Sequence, residues 1–392
     1  MTTMQPSAGN TILARVAIIA TATIFGLTYS LSAALIALDL AEKGLSEALI
    51  GANAAMHAIG VLLMAFLLPR LTAFFGVRRS VIGSLLLAAL LLCLFPAMPL
   101  VWLWFPLRIL LGAASEVLFV LSETWLNALS SESSRARTMG AYTAAMSVGF
   151  ALGPLILSVA GSQGFLPYAI GAGLALCAAA FVVSPSISAP VIEQPHHSSP
   201  FRYIRLAPVA MAATALNAAV ETAGLTFLTL YAMSVGWQEA QATQLMTCMM
   251  FGAIVLQLPI GWLGDKMDRQ KLIILLAVLS ALGAAAWPWA LASEWTIYPL
   301  LFVWGGLFVG IYTIMLTIIG SRFSGSDIVG IYAGMGLFWG VGALVGPTLA
   351  GVAMQVTTHG LVAFVALACA LFAGAALVLR SPPPSATLRT DP

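Results

Sequence analysis

Long apolar stretches broken by short polar turns make up most of this chain. A helix that crosses a bilayer needs about 20 mostly apolar residues. Reading for such runs between charges and turn residues gives twelve: 12–38, 46–68, 80–98, 100–127, 138–160, 165–184, 206–233, 240–260, 272–291, 296–320, 328–354 and 361–379. The longest are expected to tilt or to protrude into water. Met1 to Asn10 holds no basic cluster and no convincing small-residue cleavage site follows the first run. That run is therefore read as a retained helix and not a signal peptide.

Composition agrees with the pattern. Apolar residues are 61% of the 392 and charged residues only 8%, against about 25% charged in an average soluble domain. A soluble enzyme, a nucleic-acid binder and a disordered scaffold are excluded on that count. The net charge of +2 is too small to suggest a polyanion partner. Cys93, Cys177, Cys248 and Cys369 lie singly inside apolar runs, so neither a disulfide framework nor a metal site is expected.

The cations give an orientation. With the N-terminus in the cytoplasm, Arg15, Arg70, Arg78, Arg79, Arg135, Arg137, Arg202, Arg205, Lys266, Arg269, Lys271, Arg322, Arg380 and Arg389 all fall on the inner side. Of the 16 Lys and Arg, Lys43 alone faces out and Arg108 lies within a run. So one-sided a split is what the positive-inside rule demands. It predicts twelve spans in the cytoplasmic membrane with both termini inside.

The link 185–205 carries Pro185, Pro190, Pro195, Pro200 and the pair His196-His197. It divides the chain into a six-helix bundle, 1–184, and a second one, 206–380, with a disordered cytoplasmic tail expected over 381–392. The His pair is either a metal-binding element or plain linker, and no further ligand adjoins it.

The halves echo each other. The fifth run reads Gly149-x3-Gly153-Pro154 and the eleventh reads Gly342-x3-Gly346-Pro347, an offset of 193 residues. The loop after the second run, Phe75-Gly76-Val77-Arg78-Arg79, matches in position the loop after the eighth, Gly261-Trp262-Leu263-Gly264-Asp265-Lys266-Met267-Asp268-Arg269. A repeat of six and six helices, with sites between the halves, is a transporter architecture.

These residues resemble the major facilitator superfamily over nearly the whole chain. Gly261, Asp265, Lys266 and Arg269 match its loop signature, with Asp268 in place of the second Gly. The resemblance implies a latch that ties neighbouring helices on the cytoplasmic side. In the first half Pro69 and Ala73 replace the usual Gly and Asp, while Gly76, Arg78 and Arg79 remain; there the cations serve either gating or topology alone. Gly140-x8-Gly149-x3-Gly153-Pro154 matches the family's antiporter motif, without its trailing glycines. Glycines four apart let a neighbouring helix approach, and a proline kinks its helix. The motif is therefore expected either at the interface of the halves, as a gasket, or as ordinary packing, since the eleventh run shares its core with Gly342, Gly346 and Pro347.

Four ionisable residues stand out: Arg108, Glu116 and Glu123 in the fourth run, and Glu221 in the seventh. A charge at mid-bilayer costs at least about 2.5–3.5 kcal/mol. Glu116 and Glu123 share one helix face about 10 Å apart in height, and Arg108 lies about 80° round from Glu116. The resemblance makes the first, fourth, seventh and tenth runs line a central cavity. It also matches Arg108-x3-Gly112 to a motif whose Arg assists proton transfer. An Arg keeps its charge and needs an anionic partner, for which the carboxylates are candidates. Desolvation penalises the charged form of a carboxylate, so such a group can be neutral in one state and ionised in another.

Candidate substrate contacts are Tyr29, Asn53, His57, Phe119, Asn217, Trp304, Tyr312 and Thr313. His57 is either a proton relay or a packing histidine. The expected activity is proton-coupled alternating access, exporting a small, amphipathic organic molecule. No Walker A motif, metal-ligand helix or nucleophile elbow is present, so neither ATP, a cofactor nor enzymatic chemistry is expected; the proton gradient is the energy source. Substrate, protons and lipid are the expected partners, with no nucleic acid, and the chain is read as a monomer. The alternatives are an importer of an organic anion clamped by Arg108, and a lipid-flippase-like protein or non-transporting receptor.

Overall fold

The computed structural model describes residues 8–130, 135–184, 206–323 and 325–379. The link 185–205 with His196-His197, Arg202 and Arg205, and the tail from Arg380 lie outside the described residues. Every regular element is a helix: α1 (Ala8–Glu42), α2 (Glu47–Phe75), α3 (Val77–Ala97), α4 (Trp104–Ala128), α5 (Arg135–Ala160), α6 (Leu166–Val183), α7 (Pro208–Ser234), α8 (Glu239–Val255), α9 (Gln257–Lys266), α10 (Arg269–Ala285), α11 (Trp287–Ala290), α12 (Glu294–Arg322), α13 (Gly325–Val356) and α14 (Gly360–Val378). With no water in the bilayer core to take up backbone groups, helices are the form in which such apolar runs satisfy themselves.

Among the described residues fourteen α-helices make twelve spans because two spans are broken. The eighth is α8 plus α9, interrupted at Leu256 just before Pro259, and the ninth is α10 plus α11, interrupted at Ala286 just before Pro288. A proline has no N–H and its ring crowds the carbonyl four residues back. Eleven segments among the described residues are long and apolar enough to cross a membrane; α10 with 17 residues completes the set together with α11. Pro154 and Pro347, by contrast, sit inside continuous helices.

The helices form two six-span bundles with matching neighbours. In the first, α1 packs on α5, α2 on α4 and α3 on α6; in the second, α7 packs on α13, α8 on α12 and α10 on α14. The bundles meet where α2 packs on α13, α5 on α8 and α1 on α7. An even number of spans puts both termini on one face, here the terminal face; the other is the distal face.

The glycine motifs act inside the bundles. A Cβ on Gly149 would lie 2.1 Å from the Thr23 carbonyl of α1, and one on Gly153 would strike Ser30 and Leu31. Cβ atoms on Gly342 and Gly346 would each lie 2.2 Å from α7 carbonyls, those of Ala215 and Ala219. Of the two expected placements these glycines take the packing one: their small faces turn inward, where α1 and α7 come closest, while the helices that carry them also border the seam. The seam between bundles uses other glycines. Gly51 abuts the Pro347 carbonyl and Gly351 the Glu47 carbonyl.

Those contacts close the distal face. The Ser162 backbone N–H also donates to Glu239 Oε1 across the seam at 2.8 Å. Toward the terminal face α9 packs on α8, α10 and α12 of its own bundle, and Gly140, Ala141 and Thr143 near the start of α5 are exposed.

One further crossing positions the site. Gly60 of α2 and Gly112 of α4 face each other's backbones, and a Cβ on Gly112 would lie 2.0 Å from the His57 carbonyl. Replacing Gly112 by Val should therefore force α2 and α4 apart and cost about 1–3 kcal/mol or more. The check is a lowered Tm in detergent, with no such loss for Gly140→Val, whose Cβ position is open.

Candidate functional site

The Gly60–Gly112 crossing brings His57 of α2 beside Arg108 of α4. Both are buried, at 3% exposure each. They line a cavity of about 10 Å³ with Tyr29 of α1 and, from the second bundle, Thr222 and Thr226 of α7 and Ala343 and Pro347 of α13. That is room for about one water. The cavity sits between the bundles on the distal side of mid-membrane, where the seam is closed.

Its polar groups are unsatisfied. Arg108 Nε and Nη1 and both ring nitrogens of His57 are buried without a hydrogen-bond partner, as is Asn53 Nδ2 one turn before His57. Nε and Nη1 belong to different edges of the guanidinium, so neither edge of the fork is closed by protein. The His57 ring meets Tyr29 edge-on at 4.7 Å.

The expected pairing of Arg108 with a carboxylate is not found, a correction to the sequence reading. Glu116 lies eight residues along α4, about 12 Å toward the terminal face, and Glu123 two further turns away. Both are partly exposed. Glu221 binds within its own helix, accepting from Asn217 Nδ2 at 3.1 Å. Helix rise is the physical reason: carboxylates and guanidinium occupy different depths, and side chains do not bridge the gap.

Thr222, next to Glu221 on α7, lines the same cavity as Tyr29 and Arg108. Phe119 belongs to an aromatic cluster with Phe25 at 5.4 Å, and Phe25 contacts Phe150 at 6.0 Å. Glu116, Phe119, Glu123, Asn217, Glu221 and Tyr312 are half-buried, and of the predicted residues Tyr29, His57 and Arg108 are brought together.

Two predicted contacts are placed elsewhere. Trp304 donates from Nε1 to the Ser280 carbonyl at 2.8 Å and packs on Trp287 and Phe308 inside the second bundle. The Thr313 hydroxyl donates to Gln257 Oε1 at 2.9 Å, toward α9. Phe150 and Trp339 were not singled out from sequence, yet their rings lie 5.6 and 6.3 Å from Tyr29. Phe150 follows Gly149, so its position beside the motif was the available signal; nothing local marks Trp339.

The loop motifs hold helix ends together on the terminal face. Arg78 donates from Nε to the Val182 carbonyl at 3.1 Å and from Nη2 to the Ser184 carbonyl at 2.7 Å, at the end of α6. In the second half Gln270 does the equivalent, donating to the Ala376 carbonyl of α14 at 3.0 Å. Gly76 turns the chain at φ 76°, a left-handed conformation suited to glycine; Arg79 is exposed. Arg269 donates to the Gly264 carbonyl at 3.2 Å. Its ion pair with Asp265, at 3.8 Å and largely exposed, contributes little. Gly261 has open space around it. Asp268, which departs from the signature, caps α10 by accepting from the Lys271 backbone N–H at 2.8 Å.

Comparison with known proteins fits this geometry. The family model described as Major Facilitator Superfamily matches residues 17–240 and 210–392. The chain belongs to the major facilitator superfamily. This superfamily member is 26% identical over 266 residues, 66% of its length, to the uncharacterized MFS-type transporter YfkF of Bacillus subtilis (strain 168), covering 68% of that protein. It is 26% identical over 365 residues to an uncharacterized MFS-type transporter of Enterobacter sp. (strain 638), covering 88% of this chain and 90% of the other. A crystal structure of the nucleoside transporter NupG superposes with TM-score 0.72 at 14% identity, over 94% of this chain and 96% of that one. A D-xylose-proton symporter superposes with TM-score 0.74 at 15% identity, over 95% and 98%. The structural likenesses show the fold, and the family model shows the superfamily of this multi-pass membrane protein.

A buried guanidinium with no counter-charge destabilises the protein that holds it. Arg108→Met should therefore stabilise the unliganded transporter by about 1–4 kcal/mol, read as a higher Tm. A lower Tm would mean that Arg108 is a structural strut.

Proposed function

We propose that the protein is a proton-coupled secondary transporter that moves a small organic molecule by alternating access. The observation that carries this reading is the line of Glu116, Glu123 and Glu221, in spans otherwise nearly free of charge, leading to a polar cavity at the boundary of two bundles closed on the distal face. Carboxylates placed where hydration changes with the rocking of the bundles exchange protons between states. Glu221 is the favoured coupling group, because Thr222 beside it on α7 lines the cavity that Tyr29 and Arg108 line from the first bundle. Glu116 ranks beside it, and Glu123 lies nearer the terminal mouth.

The bias of Lys and Arg toward the terminal face supports a cytoplasmic-membrane protein with both termini inside. On that orientation the distal face, where the seam is closed, is the outer one, and the monomer is the working unit. The Gly140, Gly149, Gly153 and Pro154 pattern favours export by exchange against protons. Arg108, without an acidic partner, favours a second reading, in which the substrate brings its own negative charge.

Substrate-driven proton flux across proteoliposomes is the test. Glu221→Gln or Glu116→Gln should cut that flux at least about tenfold, since each removes the titrating group. Glu123→Gln should change it less. Unchanged flux in all three would end the coupling assignment.

A further inference from the structure

We propose that the cavity at Arg108 binds the carboxylate of a small organic acid carrying one negative charge and an apolar, preferably aromatic, body. The proposal rests on the transport reading above and names the substrate class of the same site.

The first support is the state of the donors. Arg108 is 3% exposed, lines the cavity, and leaves Nε and Nη1 unpartnered. Its planar fork matches a carboxylate in two parallel hydrogen bonds. His57, beside it, is also unpartnered at both nitrogens and in its neutral form supplies one more donor. Buried polar groups in a native protein are normally satisfied, so this cluster waits for an acceptor that the chain does not provide.

Charge limits the acceptor. Arg108 is the single cation lining the cavity, so a monoanion is neutralised there while a dianion leaves a buried charge without a counter-ion. Shape limits the rest. The cavity has room for about one water, so it widens for the carboxylate as the bundles move, and the body of the substrate lies outside it. Phe25, Phe119 and Phe150 form partly exposed aromatic walls on the terminal side of Tyr29. An acid enters carboxylate first, with its apolar body along those rings.

The sign of the coupling follows. Thr222 of α7 lines the cavity, so Glu221, the residue before it, stands one residue from the site; Tyr29, His57 and Arg108 line it from the first bundle, and Glu116 and Glu123 lie further along α4 toward the terminal face. An anion held at Arg108 favours a proton on Glu221, and by reciprocity that proton favours the anion. Acid and proton therefore bind together and move in the same direction, which is the second reading above and replaces exchange against protons.

Purified full-length protein in lipid nanodiscs provides the test, with benzoate, phenylacetate and hexanoate as probes. Benzamide, benzylammonium and inorganic phosphate are the comparisons. Affinity comes from calorimetry and thermal shift, and proton uptake from calorimetry in buffers of different ionisation heat. The monocarboxylates should bind with net proton uptake. Arg108→Gln should weaken them at least about tenfold, the value of a charged hydrogen bond, and His57→Gln should weaken them less. Glu221→Gln should keep binding and lose the uptake. The Tm of each unliganded variant shows that it is folded.

Equal binding of benzamide or benzylammonium, binding that survives Arg108→Gln, displacement by phosphate, or no binding of any monocarboxylate would each overturn the substrate class. Proton flux with another substrate would then still support the transport reading. Monocarboxylate binding without proton uptake would leave the pocket standing and overturn the role of Glu221.

Discussion

Lipid supplies no hydrogen bonds and no counter-ions, and the rest of this structure depends on that constraint. Backbone polar groups close on themselves as helices. Between helices of equal greasiness, the remaining attraction is close packing. The tightest contacts accordingly fall where glycine removes a side chain: Gly60 with Gly112, Gly149 and Gly153 on α1, Gly342 and Gly346 on α7. A charge in this setting is conspicuous because nothing nearby screens it.

The two kinds of charge are therefore held apart by purpose and by depth. Arg108 is sealed near the closed end of the seam with donors unspent, while the acids are half-buried in the middle of α7 and toward the terminal end of α4. Tyr29 and Arg108 from the first bundle and Thr222, beside Glu221, from the second line one cavity. Each bundle thus brings a charged group to the boundary between them.

The motifs divide differently from what their family resemblance implies. Arg78 and Gln270, at equivalent positions of the repeat, both tie the start of one helix to the end of the bundle's last helix. The side chains differ, but the geometric task is the same, which explains why the degenerate first-half loop still works as a tie. Asp265, the acidic residue expected to anchor the second loop, is mostly exposed, and Asp268 does the capping instead.

From sequence alone the spans, the repeat, the two-bundle plan and the identity of the four intramembrane charges were legible, because apolar run length and the cost of burying charge are local properties of the chain. Tyr29, His57 and Arg108 were also named, since polar groups stand out in apolar runs. Which of these meet was decided by tertiary packing. The failure of Arg108 to reach Glu116, the burial of Trp304 in its own bundle and the placement of Phe150 and Trp339 beside Tyr29 depend on helix depth, rotation and crossing. Those quantities are set by contacts between residues distant in sequence, such as the Gly112 backbone against His57 and the Pro347 carbonyl against Gly51, and a one-dimensional pattern carries no information about them.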